Sequence, residues 1–512
     1  MKSLHCALAA GVLVVACGAA ASAEWRPPDL RPTTASRNDV LAAYGKSAGA
    51  LAPRFAERRE RWTYVNGPRR LTVDVTVRGA DFRAALALGA THYSAGRSEG
   101  VRWRADGNGI AHATLSDDQG DAVDRLPQSV FPFGATDCEL AGESSRFGAA
   151  WVLVDRAPRD KPHWFYVDKT SGAIAHEITR EGARTIVTTF DAFDAVTGTV
   201  RARHWRVSDG DAANDLDVTV DAIVAEPMRE LDVAIPQIRR TFTAAIPGSN
   251  GVVRLPTRFD GGRIIVDVDV DGAPTPFILD TGTASITLDS TAARRRRWEP
   301  VLEHVTVPIM RVGALQLADV STLAIPLGES ILGYDFFVGH VVHIDYGRSV
   351  VEVLTPEAAA PAFASDANVV VAAYFDEGMP LVHAAFGAAE GDRFALDTGS
   401  PRLFVLAPFA QRNAAEIAAH WTPWTFGGGG PTTEEDYAEG SIVVSAHRAS
   451  SFALGRWLFR NVVVGVQQDR NPSPNALDMS FDGIIGTDYM TAFEWWFDYD
   501  GGRIAMRRNS PR

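Results

Sequence analysis

The chain contains the stretch FILDTGTASITL at residues 277–288 and a closely similar one, FALDTGSPRLFV, at residues 394–405. In each stretch an apolar run ends in an aspartate, followed by Thr-Gly and a hydroxyl residue. Aspartate is a poor strand former, because its carboxylate competes with the backbone for hydrogen bonds. The two aspartates, Asp280 and Asp397, are 117 residues apart, about the length of one small domain. The repeat predicts that two similar halves each supply one carboxylate to a shared site.

A second pair of matching segments closes each half. ILGYDFFVGHVVHIDYGRSVVEVL (331–354) resembles IIGTDYMTAFEWWFDYDGGRIAMRR (484–508). Both begin with two apolar residues and a glycine, continue with an aspartate before an aromatic residue, and then form a turn around Asp-Tyr. Together with the Asp-Thr-Gly motif, these make four matched features in the same order in each half, which predicts an internal duplication. We interpret the aspartates before the aromatic residues, Asp335 and Asp488, as helix N-caps.

These motifs resemble those of the aspartic peptidases, specifically the bacterial bilobal forms whose halves each look like a retroviral protease subunit. The resemblance covers roughly residues 252–508. It implies a mainly β, two-lobed pepsin/retropepsin-like fold, with lobe 1 at 252–360 and lobe 2 at 361–512. It also implies a hydrolase that needs neither a metal nor another cofactor, in which Asp280 and Asp397 activate a water. A monomer is expected, because one chain supplies both halves of the site.

The residues that follow the two aspartates have supporting roles in this family. The threonine beside each aspartate is expected to hydrogen-bond across the interface between the lobes. The glycine lets the backbone turn close to the carboxylates, and the next hydroxyl residue would donate to its own aspartate. The supporting residues implied here are Thr281, Gly282, Thr283, Thr398, Gly399 and Ser400.

A mobile flap usually covers the substrate in these proteases, and lobe 1 has no obvious candidate. Lobe 1 has 53 residues from Asp280 to Gly333, whereas lobe 2 has 89 from Asp397 to Gly486. The extra length in lobe 2 contains a glycine run, which we interpret as a flap or cleft-edge loop, with a plain flexible loop as the alternative. The run consists of Gly427, Gly428, Gly429 and Gly430. A phosphate loop is not favoured, since no Gly-Lys-Ser/Thr follows.

Metal binding is not expected from His340 and His343. The two histidines lie on a predicted strand, where their spacing places them on opposite faces.

The first 23 residues have the pattern of an export signal. Lys2 precedes an apolar run, and Ala21-Ser22-Ala23 offers a cleavage site, so an exported protein, periplasmic or secreted, is expected. An alternative stays open, because VVAC at residues 14–17 resembles a bacterial lipobox, in which Cys17 would carry a lipid anchor. No later segment is long and apolar enough for a membrane span. A formal net charge of −13 does not favour a nucleic-acid partner.

Residues 24–242 have a different pattern. Short alternating stretches, such as LTVDVTVRG (71–79) and ARTIVTTFDAF (183–193), predict an antiparallel β domain. The succession of strands resembles the curved half-barrels of periplasmic lipoprotein carriers. TAAIPGSNG (243–251) is the predicted linker, and the part after it is expected to fold by itself. The N-terminal domain is then either a removable pro-segment or a recruiter of substrate.

The sequence therefore predicts an exported aspartic endopeptidase that acts on proteins or peptides. The alternative is a peptide- or lipoprotein-binding module that keeps the cleft and has lost turnover, with the N-terminal domain as its working part. Intact Asp-Thr-Gly motifs in both halves favour the enzyme, because a decayed protease usually loses an aspartate first.

Overall fold

The computed structural model describes most of the chain between residues 27 and 509. Within that span it leaves out residues 28, 49–55, 89–90, 114–137, 156–162, 182–183, 197–198, 213–214, 237–249, 299–303, 377, 426–431, 438–439 and 468–480. The predicted signal segment with Cys17 and the predicted flap at 427–430 therefore lie outside the described residues, as does most of the predicted linker. No helix in the described part of the chain is long and apolar enough to cross a membrane.

The chain divides into two compact units. The first comprises residues 1–106, 114–237 and 471–478, and the second comprises residues 107–113, 238–470 and 479–512. The elements before residue 238 are α1 (Arg37–Ala48), β1 (Glu57–Asn66), β2 (Arg69–Arg78), β3 (Asp81–Leu88), β4 (Thr91–Ser98), β5 (Val101–Ala105), β6 (Ala111–Ala113), β7 (Cys138–Ser144), β8 (Ala150–Asp155), β9 (His163–Asp168), β10 (Ile174–Glu181), β11 (Arg184–Val196), β12 (Thr199–Ser208), β13 (Leu216–Ala225) and α2 (Glu230–Val233).

The first unit is an antiparallel meander. Its strands lie in the order β5-β4-β3-β2-β1-β13-β12-β11-β10-β9-β8-β7, and each pairing along this order is antiparallel. The alternation in the sequence explains the strands, since Val73, Val75 and Val77 of β2 are buried while Asp74 between them is exposed. The prediction of an antiparallel β architecture is confirmed, and the half-barrel shape stays a prediction.

The second unit contains two sheets of matching design and a third sheet to which both lobes contribute. Its remaining elements are β14 (Val252–Arg254), β15 (Thr257–Asp260), β16 (Arg263–Val270), β17 (Ala273–Leu279), β18 (Thr287–Asp289), α3 (Ser290–Arg295), β19 (His304–Val312), β20 (Leu315–Ile325), β21 (Ser330–Leu332), α4 (Tyr334–Phe337), β22 (Val341–Asp345), β23 (Val350–Leu354), α5 (Pro356–Ala364), β24 (Val369–Ala372), β25 (Tyr374–Asp376), β26 (Met379–Phe386), β27 (Ala389–Leu396), β28 (Phe404–Val405), α6 (Ala407–Arg412), α7 (Ala414–His420), β29 (Thr422–Pro423), β30 (Thr432–Tyr437), β31 (Gly440–Leu454), β32 (Trp457–Gln467), β33 (Gly483–Ile485), α8 (Thr487–Met490), β34 (Phe493–Asp498) and β35 (Arg503–Arg508).

The sheets of the two lobes share one connectivity. Lobe 1 has the order β15-β16-β17-β21-β18-β20-β19, and lobe 2 has the order β25-β26-β27-β33-β28-β32-β31, with β29 beyond it. The additional pairings also correspond, β16 with β19 and β26 with β31. In both lobes the strand that leads into the aspartate runs parallel to the first strand of the closing segment, so Leu279 pairs with Leu332 and Leu396 with Ile485. This parallel pairing fixes where each aspartate leaves its sheet.

The third sheet joins the lobes. Its order is β14-β23-β22-β34-β35-β24, so three strands come from each lobe around the central antiparallel pair β22 and β34. Each of these two strands ends immediately before a tyrosine, Tyr346 or Tyr499. A large hydrophobic cluster with fully buried side chains from both lobes, such as Phe277, Phe337 and Phe394, packs the second unit together. The lobes are therefore held by shared β structure as well as by apolar contact.

One segment of the N-terminal half belongs to the second unit. Residues 107–113 lie between β5 and the end of β6, and Ile110 is fully buried in the hydrophobic cluster of that unit. This differs from the predicted division, in which everything up to residue 242 belongs to the N-terminal domain. A fragment that begins at residue 243 would lack Ile110. The expectation that such a fragment folds by itself stays a prediction.

Hairpin tips at equivalent places reach across to the opposite lobe. Gly262, between β15 and β16, approaches Thr487, and Gly378, between β25 and β26, approaches Tyr334. Thr487 and Tyr334 each follow the glycine of their closing segment. Gly262 has a φ of +93°, and a Cβ there would lie 2.9 Å from the Cβ of Thr487. A glycine is thus needed both for the backbone conformation and for space.

Gly262→Ala is expected to lower the free energy of unfolding by roughly 2–4 kcal/mol, because left-handed backbone strain adds to overpacking. The matched control is Gly261→Ala. Gly261 also has a positive φ, +56°, but a Cβ there would meet nothing within 4 Å. The Gly261→Ala variant should lose only about 1–2 kcal/mol of its free energy of unfolding. Urea denaturation of both variants checks the difference, and equal losses would contradict the contact between the lobes.

Candidate active site

The two aspartates are held at the ends of corresponding strands. The backbone N–H of Asp280 donates to the carbonyl of Leu332 at 3.0 Å, and that of Asp397 donates to the carbonyl of Ile485 at 3.1 Å. Each hydrogen bond joins the aspartate to the closing segment of its own lobe. The repeated order of motifs in the sequence thus becomes a repeated local structure around each carboxylate.

Reciprocal hydrogen bonds connect the two aspartate loops. The hydroxyl of Thr281 donates to the carbonyl of Leu396 at 2.7 Å, and it accepts from the backbone N–H of Thr398 at 3.0 Å. The hydroxyl of Thr398 donates to the carbonyl of Leu279 at 2.8 Å and accepts from the N–H of Thr281 at 3.0 Å. Both threonines are fully buried. This is the arrangement that the family resemblance implies for the two threonines.

Each carboxylate also accepts hydrogen bonds from its own loop. Asp280 accepts from the N–H of Gly282 at 2.7 Å and from the hydroxyl of Thr283 at 2.8 Å. Asp397 accepts from the N–H groups of Gly399 and Ser400, at 2.7 and 3.0 Å. The structure differs from expectation at Ser400, whose hydroxyl donates to the carbonyl of Arg402 at 3.4 Å. The buried Ser400 therefore donates to Asp397 through its backbone N–H and not through its hydroxyl. The two loops are not chemically equivalent.

The glycines of the two motifs provide space for the opposite carboxylate. A Cβ at Gly282 would lie 2.5 Å from the carboxyl carbon of Asp397, and one at Gly399 would lie 2.7 Å from that of Asp280. Both distances are far below van der Waals contact. Neither glycine is among those with positive φ. Glycine is therefore required for the close approach to the carboxylates that the sequence predicts, and not for a left-handed backbone conformation.

The two carboxyl groups form one coupled pair. Burial is the main effect that raises the pKa of Asp397 well above its ordinary value, followed by the charge of Asp280 and a hydrogen bond between the two side chains. The N–H groups of Gly399 and Ser400 act in the opposite direction. Two carboxylates this close cannot both ionise readily, so one proton is shared between them. Such a pair can act as acid and as base in one step.

Two buried tyrosines flank this pair, and the sequence reading had given them no role. Burial and the charge of Asp397 raise the pKa of Tyr346, while burial, Tyr334 and the charges of both aspartates raise that of Tyr499. The Tyr346 ring packs edge-on against Phe259 at 5.6 Å, and the Tyr499 ring lies 5.4 Å from that of Tyr334. The repeated Asp-Tyr turn was the signal that could have found them. Because their pKa values are raised, both phenols stay neutral beside the carboxyl pair.

The interpretation of Asp335 and Asp488 as helix N-caps is wrong. The N-caps of α4 and α8 are Gly333 and Gly486, without a side-chain hydrogen bond. The carboxylates instead accept backbone N–H groups just after the aspartate loops, Asp335 from Ile286 at 3.1 Å and Asp488 from Leu403 at 3.0 Å. Both aspartates lie inside the first helical turn, where their side chains point back toward those loops. Burial raises the pKa of Asp488 to about 7.

One group of side chains in the described residues has the composition of a metal site. His343, Asp345 and Glu494 place ligand atoms within 4.8 Å of one another. Arginines already neutralise these carboxylates, since Arg348 pairs with Asp345 and Glu494, and Arg507 pairs with Glu494. The His343 ring stacks on Trp496 at 4.5 Å. The group is an ion-pair network across the third sheet, and it offers a metal no free ligand set.

Sequence comparison finds no matching family model and no matching curated protein. Among solved structures, an aspartic proteinase from Irpex lacteus is 9% identical, with a TM-score of 0.31, and the match covers 51% of this chain and 98% of that chain. A retropepsin-like aspartic protease from Rickettsia conorii is 15% identical, with a TM-score of 0.19 and coverage of 27% and 97%. A LolA superfamily protein from Nitrosomonas europaea is 10% identical, with a TM-score of 0.30 and coverage of 39% and 98%. These similarities are too low to carry an argument about function.

Thr281→Val is expected to lower the free energy of unfolding by roughly 2–5 kcal/mol, because it leaves the N–H of Thr398 and the carbonyl of Leu396 buried without a partner. Thr281→Ser is the matched control, since it keeps the hydroxyl and should cost only about 1 kcal/mol. Chemical denaturation measures both. A valine variant as stable as the serine variant would show that these hydrogen bonds do not hold the lobes together.

Asp397→Asn is expected to stabilise the protein at neutral pH. The pKa of Asp397 is higher in the folded chain than in the unfolded chain, where it is about 3.9, so the folded state binds the proton more tightly. The free energy of unfolding of the wild type therefore falls as the pH rises from about 4 through the raised pKa. Asparagine removes this loss, and the stabilisation should vanish below about pH 4. The exposed Asp500→Asn is the control, and thermal unfolding from pH 3 to 8 checks the trend.

Proposed function

We propose that this chain is an exported aspartic endopeptidase that cleaves peptide bonds in proteins or peptides. The observation that carries the proposal is the hydrogen-bonded pair of carboxyl groups, Asp280 from lobe 1 and Asp397 from lobe 2, with the glycine of each loop packed against the opposite carboxylate. A single buried carboxylate without a partner would destabilise the folded protein. A pair of carboxyl groups, held by matching hydrogen bonds in a repeated setting, is the arrangement that water activation requires.

The mechanism follows from the shared proton. The ionised member of the pair takes a proton from a water molecule, and the resulting hydroxide attacks the carbonyl carbon of the peptide bond. The protonated member donates its proton to the carbonyl oxygen, which gives a neutral tetrahedral diol. Collapse of the diol returns a proton to the leaving nitrogen and releases a carboxylic acid and an amine. The pair titrates as a unit, so either aspartate can begin as the acid.

The inner groups of the site keep this pair ready for reaction. Thr281 and Thr398 fix the two loops against each other by hydrogen bonds of 2.7 to 3.0 Å. The phenols of Tyr346 and Tyr499 are neutral because their pKa values are raised, so they add no charge beside the pair. Such preorganisation reduces the reorganisation that accompanies proton transfer. The substrate approaches the pair at Asp280, which is partly exposed.

Lobe 2 is the proposed source of the element that covers the substrate. The glycine run at 427–430 leads into β30, and β30 pairs with the first part of the long strand β31 in a hairpin from Thr432 to Ser445. Beyond Ser445 the same strand continues along β32 in the lobe sheet. We propose that this hairpin and the glycine run act as one flap. In lobe 1, β19 turns directly into β20 at Gly313, which leaves less chain for such an element.

The proposal also covers the location of the protein in the cell and its oligomeric state. We propose export through the segment at 1–23, with lipidation at Cys17 as the alternative, and a monomer as the active form. The binding-module alternative predicts peptide binding without turnover. Incubation of the wild type with a mixed peptide library, followed by mass spectrometry, separates the two functions, because only an endopeptidase produces new termini.

Asp280→Asn and Asp397→Asn are each expected to lower kcat by about 10²–10⁴-fold, since an amide can neither accept the proton from water nor release one to the carbonyl. The controls are Asp500→Asn, which should keep normal turnover, and circular dichroism, which should report an intact fold in all three variants. Cleavage of the peptide library gives the rates. Near-normal turnover in either active-site variant would contradict the shared-proton mechanism.

A further inference from the structure

The segment Gly107–Ala113 carries a buried polar side chain into the second unit. Asn108 is 1% exposed and Ile110 is fully buried. Burying an amide is costly unless its hydrogen bonds are made. The contacts of Asn108 therefore indicate what this part of the N-terminal half does there.

The side-chain amide of Asn108 pairs with the backbone of β20. Its nitrogen donates to the carbonyl of Ser321 at 2.9 Å, and its oxygen accepts from the N–H of Ser321 at 2.7 Å. Two residues further along β20, the N–H of Leu323 donates to the carbonyl of Ile286 at 3.2 Å. Groups two residues apart on a strand face the same edge. Asn108 therefore continues the row of hydrogen bonds that Ile286 begins on this edge.

The same amide reaches the carboxylate that braces the aspartate loop. Its nitrogen donates to Oδ2 of Asp335 at 3.0 Å, and this oxygen also accepts from the N–H of Ile286 at 3.1 Å. Ile286 ends the loop that begins at Asp280. The helix carrying Asp335 holds that loop at a second point, where the N–H of Tyr334 donates to the carbonyl of Thr283 at 2.8 Å. Asn108 is thus two hydrogen bonds away from the backbone of the loop that carries Asp280.

In lobe 2, the corresponding hydrogen bonds to the loop of Asp397 come from residues of the same lobe. The equivalent carboxylate, Asp488, accepts from Leu403 at 3.0 Å, and Thr487 donates its N–H to the carbonyl of Ser400 at 2.9 Å. Both contacts have counterparts in lobe 1. Among the residues that the structure describes, the amide of Asn108 is an addition that lobe 1 receives from a distant part of the chain.

We propose that Asn108 is a positioning residue for the Asp280 loop, and that the N-terminal half is consequently a permanent part of the catalytic protein rather than a removable pro-segment. The catalytic consequence rests on the proposed function, whereas the positioning does not. Removing residues 107–113 would open the hydrophobic cluster at Ile110 and leave the Ser321 backbone without its amide partner. A pro-segment, in contrast, can leave without loss to the mature enzyme.

The test compares three variants of the full chain by amide hydrogen exchange of residues 281–288 and by steady-state kinetics. Asn108→Ala removes all three hydrogen bonds. Asn108→Asp keeps an acceptor for the N–H of Ser321 but places carboxylate oxygen against both the carbonyl of Ser321 and the carboxylate of Asp335. Asn368→Ala is the matched control, because Asn368 is also buried and donates to the carbonyl of Ala362 at 2.7 Å, beside α5.

Exchange at Ile286 should accelerate about tenfold or more in both Asn108 variants, and kcat should fall with little change in KM. Asn368→Ala should leave both unchanged. Unaltered exchange at Ile286 in folded Asn108→Asp would overturn the proposal. If the wild type shows no peptidase activity but exchange responds as described, the proposed function fails while the positioning role stands.

A second experiment tests whether the N-terminal half is a permanent part of the protein. A recognition site for a specific protease is inserted between residues 237 and 249 of the full chain, and the chain is cut there after folding. The two fragments should remain together on gel filtration, and turnover of a short peptide should be retained. Release of the N-terminal fragment with a rise in turnover would identify a pro-segment and overturn the proposal.

Discussion

Holding two carboxyl groups side by side, with Asp397 buried and Asp280 partly exposed, is the constraint on which the second unit depends. The pair is tolerable only if it shares a proton and if every neighbouring group is either a hydrogen-bond donor or neutral. The N–H groups of Gly282 and Gly399 act as donors, and Tyr346 and Tyr499 act as neutral neighbours. The fully buried threonine hydroxyls cross between the lobes and fix the separation of the loops. If any of these elements were displaced, the carboxylates would repel each other or attract water, and the two lobes would lose their common centre.

The two lobes use the same connectivity to produce unequal surroundings. Asp280 accepts a hydrogen bond from the hydroxyl of Thr283, whereas Asp397 accepts a second backbone hydrogen bond, from the N–H of Ser400. Asp397 is the more deeply buried of the two. The two carboxyl groups therefore have different hydrogen-bond donors and different exposure to solvent, although their loops leave the sheets in the same way.

The contribution of the N-terminal half is the least symmetric feature of the second unit. Ile110 extends the hydrophobic cluster, and Asn108 completes a row of hydrogen bonds on β20 next to the support of the Asp280 loop. One stretch of seven residues thus ties the stability of lobe 1 to a region more than one hundred residues earlier in the chain.

The sequence by itself determined much of the fold and the central pair. Alternating apolar residues predicted the strands, and the duplicated Asp-Thr-Gly motifs with their closing segments predicted that Asp280 and Asp397 belong together, because these signals are local and repeat in order. Tertiary structure alone decided the rest. The Ser400 hydroxyl turns away from Asp397, Asp335 and Asp488 brace loops instead of capping helices, and Asn108 joins lobe 1. Each of these depends on which distant backbone group comes within hydrogen-bonding distance once the chain is packed, and no local pattern of residues encodes that distance.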